Sequence, residues 1–315
     1  MPGALRQEDT LFKNLIVYRV GPGWAANSAE LEAGLDKMIF VACGATQPVS
    51  AGWAPPRGIE HAPLVESIGG QWLMKLVIEQ RVVPSAVIKR EVDARVVQVE
   101  KATGRKPGKK QQKELKEEVL LELLPQAFTK QSAIRVWLNP KDRLLMIDAS
   151  SPAKADDVVS QLVKAVDGIG LTPLHTAQSP ATAMSEWLTT GEPPAGFSVD
   201  RECELKSPDE TKSAVRYARH ALDIDEVRQH IAGGKLPTQL ALTWQGRVSL
   251  LLTEAMQIKK IAFLEGVFEG GGKPAKDDAF DADAAIATGE LGKLIPDLFE
   301  ALGGEQQPGI PALAA

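Results

Sequence analysis

"PSAVIKREVDARVVQVEKATGRKPGKKQQKELKEEVLLELLPQAF", residues 84–128, decides how the rest of the chain is read. Pro84-Ser85 opens a helix, because proline suits a first turn that has no use for its missing N–H. Ile88, Val92, Val96 and Val99 recur at helical spacing and carry that helix to about residue 102. Gly104 and Pro107-Gly108 break it, and a second helix starts near Lys109. On this second helix Lys109, Lys113 and Lys116 form one row. Leu115, Val119 and Leu123 form a separate apolar stripe, with Glu114, Glu117 and Glu118 on the remaining side. Pro125 ends or kinks the helix, which leaves Phe128 in a polar exit loop, "QAFTKQS". The stretch is a helical hairpin with a basic tip: from Lys101 to Lys116 there are seven Lys or Arg and one acid, Glu114.

Strand-like segments lie on both sides. "VESIGGQWLMKLVIEQRVV" (65–83) reads as two strands around Gly69-Gly70. "AIRVWLNPKDRLLMIDA" (133–149) reads as a hairpin around residues 139–142. Further out, "LFKNLIVYRV" (11–20) is a strand, and Asn27 or Ser28 caps a helix to about Lys37. Pro152 starts another helix, and a shorter one near 181–189 ends at Gly191. Pro193-Pro194 marks a junction. Beyond it come strands around 197–206 and 211–219, a helix at 224–232, a hairpin over 238–253, a strand "QIKKIAFLE" and a last helix at about 280–302. The class is α+β, with antiparallel sheets, packed helices and a protruding helical arm. The expected organisation is a central α/β unit (1–83 with 131–192), the arm (84–130) and a second α+β unit (193–315).

The chain has 315 residues, 44% hydrophobic and 24% charged, which is the composition of a soluble globular protein. Cys43 and Cys203 lack metal or redox spacing, and the N-terminus lacks the apolar stretch of a signal peptide. No uninterrupted apolar run suits a bilayer, so a soluble, cytoplasmic protein is expected. The net charge is −5, but it is unevenly placed: residues 1–130 carry 18 Lys and Arg against 15 Asp and Glu. A local cationic surface on an acidic body suits one anionic partner and repels others.

Catalytic signatures are missing. "GRKPGKK" has three residues where a P-loop needs four, and Lys110 where it needs Ser or Thr. His61, His175, His220 and His230 lack ligand spacing. Asp277, Asp278, Asp281 and Asp283 fail the EF-hand pattern and read as acids at a helix N-terminus; the sharper alternative is a metal-dependent nuclease. Asp156 and Asp157 also fall in a first helical turn. The basic arm therefore carries the functional reading. Lys89, Arg90 and Lys101 on its first helix, with Lys109, Lys110, Lys113 and Lys116 on its second, are the candidate phosphate contacts. Lysines are point charges suited to phosphates, and the stretch has no aromatics for stacking on bases, which favours a duplex backbone. A merely solvated arm is the plain alternative.

Several segments together resemble the RdgC family of recombination-associated proteins. They are "LFKNLIVYRV", "GWAPP" (52–56), "VPSAVIKREVDARV" (83–96), "KELKEEVLLELLPQAF" (113–128), "EWLTTG" (186–191), "KLPTQLALTWQGRVSLLL" (235–252) and "FDADAAIATGEL" (280–291), in the family's order. The resemblance implies a nucleoid-associated protein that binds double-stranded DNA with little sequence preference, and single strands more weakly. It implies a homodimer closed into a ring around the duplex, restraint of the recombinase RecA, and neither catalysis nor cofactor. Phe128 matches an aromatic at the family's arm-to-arm gate. "VRYARHAL" (215–222) matches a basic segment near that gate, adding Arg216 and Arg219 as DNA contacts. The resemblance places Arg219 and His220 at the gate with Phe128, in place of the more usual Lys-Gln pair there. The competing reading is a module that docks a recombination protein directly, without DNA.

Overall fold

The first strand, β1 (Ile16–Val20), is shorter than the apolar run that contains it. In the computed structural model, which describes residues 10–267 and 279–306, Leu11, Phe12 and Leu15 leave the strand and enter the core. α1 (Ser28–Asp36) starts where Asn27 Oδ1 accepts the Ala29 N–H at 3.0 Å, satisfying a donor that the first turn leaves free. β2 (Val49–Ala54) follows, then the tight pair β3 (Glu66–Ile68) and β4 (Gln71–Val82) around Gly69-Gly70. α2 (Ser85–Thr103) and α3 (Lys109–Leu123) form the expected helical hairpin. Gly104 ends α2 with φ of 69°, a left-handed cap open to glycine at little cost.

The chain then enters β5 (Phe128–Asn139), which turns into β6 (Leu144–Ile147). Phe128 is thus the first residue of a strand, not part of an exit loop. Its partner is Val82, and β4 and β5 stay paired from there to Trp72 and Leu138. The helical hairpin is an insertion at the end of one long two-stranded ladder. α4 (Pro152–Ala165) and β7 (Leu171–Pro173) complete a seven-stranded sheet, ordered β2-β4-β5-β6-β1-β7 with β3 also on β4.

α5 (Pro180–Thr190) precedes the second sheet: β8 (Phe197–Lys206), β9 (Ala214–Ala218), α6 (Asp225–Ala232), β10 (Leu236–Trp244), β11 (Val248–Thr253) and β12 (Ile258–Phe263). Its order is β12-β11-β10-β8-β9. α7 (Ala279–Ala301) closes the described chain. Every pairing between these strands is antiparallel. Although α5 precedes Pro193-Pro194, its Met184, Trp187 and Leu188 pack with the second sheet.

Side chains alternate across a strand, so the β4–β5 ladder serves two cores. Met74, Leu76, Ile134 and Val136 face Leu31, Leu35, Val158 and Leu162 of α1 and α4. Leu73 and Trp137 face the second sheet and Leu291, Leu294 and Leu298 of α7. The sheets are also joined by backbone: Leu15 and Ile258 exchange N–H···O bonds of 2.7 and 3.0 Å, and Ile261 N–H donates to Lys13 O at 3.0 Å. Three of the quoted motifs meet where the parts join. Arg247 donates to both carboxylate oxygens of Glu290 at 2.7 Å. Trp244 Nε1 donates to Asp297 at 2.8 Å. Arg57, beside "GWAPP", pairs with Glu66 and Asp281 and lies over the Phe280 ring at 4.9 Å.

Candidate nucleic-acid interface

The α2–α3 hairpin is almost entirely surface. α2 has no buried residue, and Val119 is the only one in α3. Ile88, Val92, Val96 and Val99 are half-buried, as are Leu115 and Leu123, so the predicted apolar stripes pack on each other. The hairpin carries ten Lys and Arg against seven Asp and Glu between residues 85 and 123. Lys89, Arg90, Lys101, Lys109, Lys110, Lys113 and Lys116 are all exposed.

Their charge is partly answered within the hairpin. Arg90 pairs with Glu91 at 3.1 Å, and Lys113 with Glu117 at 3.8 Å. Arg95 ties the two helices together through Glu118 and Glu122. Such exposed pairs contribute little to stability. Lys89, Lys101, Lys109, Lys110 and Lys116 have no ion pair among the described residues. The expected three faces of α3 are present, with one refinement: Glu117 reaches the lysine row and Glu118 reaches α2.

The root of the hairpin is held by Arg81. Its guanidinium donates to the carbonyls of Gly44 (2.9 Å), Ala127 (3.1 Å), Leu124 (3.2 Å) and Cys43 (3.4 Å). Beside it, Glu79 is 3% exposed and accepts from Gln131 Nε2 and from the Cys43 N–H, each at 2.7 Å. The Gln131 and Cys43 bonds hold the Glu79 carboxyl below its ordinary value. Burial pushes the Cys43 thiol up, as it does Cys203, which reaches about 12; neither is a ready thiolate. Phe128, next to Ala127, is 88% exposed, and Val82 opposite it is 45% exposed. No local pattern marks Arg81 or Glu79, because the backbone groups and the Gln131 side chain that they bond lie far away in sequence.

Arg216, Arg219 and His220 lie elsewhere. Arg216 is on β9, the edge strand of the second sheet, and pairs with Glu204. Arg219 follows in a left-handed turn with φ of 56°, and His220 sits 5.9 Å from the Tyr217 ring. Within the chain Arg216 and Phe128 belong to different sheets, and Arg219 and His220 lie just past the end of β9. Among the described residues no group of three or more His, Cys, Asp or Glu could hold a metal ion. Asp281 is engaged by Arg57; Asp277 and Asp278 lie outside the described residues. Among those residues, too, no helix is long and apolar enough to cross a membrane.

A family profile described as "Putative exonuclease, RdgC" matches residues 10–305. The chain is 47% identical over 299 residues to "Recombination-associated protein RdgC" of Dechloromonas aromatica (strain RCB), covering 93% of this chain and 98% of that protein. It is 45% identical to the protein of the same name from Cupriavidus pinatubonensis, covering 94% and 99%. With the Bordetella pertussis protein of that name it shares 41% identity, again covering 94% and 99%.

Proposed function

We propose, from the premise that this chain belongs to the RdgC family of recombination-associated proteins, that it binds duplex DNA without reading sequence and modulates RecA-dependent recombination. The observation that supports this most is the α2–α3 hairpin: a two-helix arm with exposed lysines that have no ion pair among the described residues, and no aromatic residue between Pro84 and Ala127. Phosphate contacts of this kind release condensed counterions and give affinity without specificity. Two copies close into a ring, with the arm protruding from the β4–β5 ladder and Phe128 meeting its symmetry mate or a pocket on it. The protein acts by occupying DNA in the nucleoid, holds single strands more weakly, and needs neither catalysis nor cofactor.

Mobility shifts with unrelated duplexes and single strands, over several salt concentrations, test this reading. Similar affinity for unrelated duplexes and a steep fall with salt are expected; sequence-selective or salt-insensitive binding overturns it. Val97 and Leu121, 48% and 57% exposed on the arm, favour the second reading, a dock for a recombination protein. That reading predicts salt-insensitive binding to a protein and none to duplex. The exonuclease description is tested in the same tubes with divalent metal added: duplex shortening would assign an activity that the proposal lacks.

A further inference from the structure

A second cationic surface lies on the sheet rather than on the helices. Lys75 of β4 stands directly opposite Arg135 of β5, so both side chains leave the same face. One step along, that face buries Leu73 and Trp137 under the second sheet; here Arg135 is exposed and Lys75 half-exposed. Exposed Lys13 lies beside them. Arg135 Nη1 donates to Leu11 O at 3.2 Å, and the Asp148 N–H donates to Arg135 O at 2.9 Å. Asp148 Oδ1 in turn accepts the backbone N–H groups of Lys13 and Asn14 at 3.2 and 2.8 Å.

The carboxylates nearest the three cations act on them only from beyond ion-pair distance, Asp148 on Arg135 and Lys13 and Glu66 on Lys75. Among the described residues none of the three cations has a carboxylate within ion-pair distance, in contrast to Arg90, Arg95, Lys113 and Arg216. Glu66 is bound to Arg57 at 2.5 Å, and Asp148 to backbone. Lys75 Nζ has only the Pro56 carbonyl, at 3.4 Å. Burial and then the charge of Arg135 push the Lys75 ammonium below its ordinary value, with Glu66 opposing. Like charges directly opposite on a sheet face are destabilising, so the pair costs the free protein stability. Towards the arm, the same face of β5 shows exposed Ala133, Gln131 and Thr129. The only acid in either strand is the buried Glu79. From Lys75 to the arm root is seven residues of strand, about 23 Å, without an exposed carboxylate on the ladder.

We propose that Lys75 and Arg135, with Lys13 at their side, form a phosphate-binding site on the exposed stretch of this sheet face, between the part covered by the second sheet and the part where Cys43 covers Glu79, and that a duplex held by the arm lays its sugar–phosphate backbone there. The site rests on the DNA-binding reading above and extends it from the helices to the sheet. It explains why two cations face each other where one apolar residue would serve the free protein better.

The test compares full-length wild type with Lys75→Gln, Arg135→Gln and the double variant, in duplex binding over a salt series and in thermal unfolding without DNA. Two lost phosphate contacts flatten the log–log salt slope of the double variant by about 1.8, while Tm stays level or rises because repulsion is relieved. A merely structural pair would lower Tm and leave the slope alone. If the double variant unfolds, Lys75→Gln decides alone, since it keeps the Arg135–Leu11 bond: a slope loss of about 0.9 supports the site, and none overturns it. Inorganic phosphate at matched ionic strength is the second arm. If it displaces duplex from wild type and less from the double variant, duplex and free anion share the site, as proposed; if it binds wild type but not the double variant and displaces no duplex, the site is a small-anion pocket and the duplex track is wrong. A wild type that binds no duplex at any salt overturns the underlying reading instead, and wild-type slope in a folded double variant overturns this site alone.

Discussion

At Gly52 a single hydrogen atom holds the edge of the first sheet together. A Cβ there would lie 2.5 Å from Phe40 Cα and 2.6 Å from Phe40 N. The 38–40 segment cannot easily retreat, because Phe40 N–H donates to Trp53 O and Trp53 N–H to Met38 O at 2.8 and 2.9 Å. Gly52→Ala should therefore lower stability by about 1–3 kcal/mol, the usual cost of overpacking. Denaturant unfolding checks this, and an unchanged midpoint would mean that the segment shifts freely. "GWAPP" was legible as a family motif, but its reason was not, since Phe40 approaches from outside it. Glu79 gives a pH prediction. Its carboxyl is held below the ordinary 4.5 in the folded protein by Gln131 and the Cys43 N–H. A depressed folded value means that its stabilisation is present above the unfolded value and is lost as pH falls through the folded one. The Tm difference between wild type and Glu79→Gln should stay constant down to about pH 5 and shrink as pH falls further. A difference that is flat to pH 3 would contradict the assignment.

The α2–α3 hairpin is the element that the sequence announced most clearly. Pro84, Gly104 and Gly108 set its limits by local backbone chemistry, and the structure places its ends within a residue or two of the expected ones. Lys109→Glu/Lys113→Glu/Lys116→Glu should weaken duplex binding without unfolding the protein, because Val119 carries the buried face and these lysines are exposed. Each lost contact flattens the salt slope by about 0.9; unchanged affinity and slope would make the row a solvated face. Elements that depend on remote partners were harder to see. β2 reads "VSAGWA" and β7 only "LTP", too short or too small in side chain to look like strands without their neighbours. The start of β5, "FTKQS", shows no apolar alternation because both its faces are exposed; only pairing with β4 makes it a strand. Lys13, Lys75 and Arg135 were invisible for the same reason. Each is a lone cation in sequence, and only strand register brings them together.

For the whole molecule, the antiparallel α+β class followed from strand and turn chemistry, whereas the shared core did not. Trp137, fully buried and 5.9 Å from Phe12, packs the first sheet against the second, and nothing in its local sequence names that partner. In the proposed assembly the arm, the sheet face and Phe128 surround DNA together, and Phe128 is the residue on which that proposal most depends. The ring is 88% accessible in the protomer, and burying a phenylalanine contributes roughly 1.5–3 kcal/mol. Phe128→Ala should therefore leave the stability of the single chain unchanged and weaken only the proposed contact between arms. The most direct measurement is retention on closed circular duplex against the same duplex linearised, after a salt challenge, for wild type and Phe128→Ala. Wild type should stay on the circle and be lost from the linear form, while Phe128→Ala should be lost equally from both. Wild type leaving circle and linear duplex at the same rate would contradict the proposed assembly.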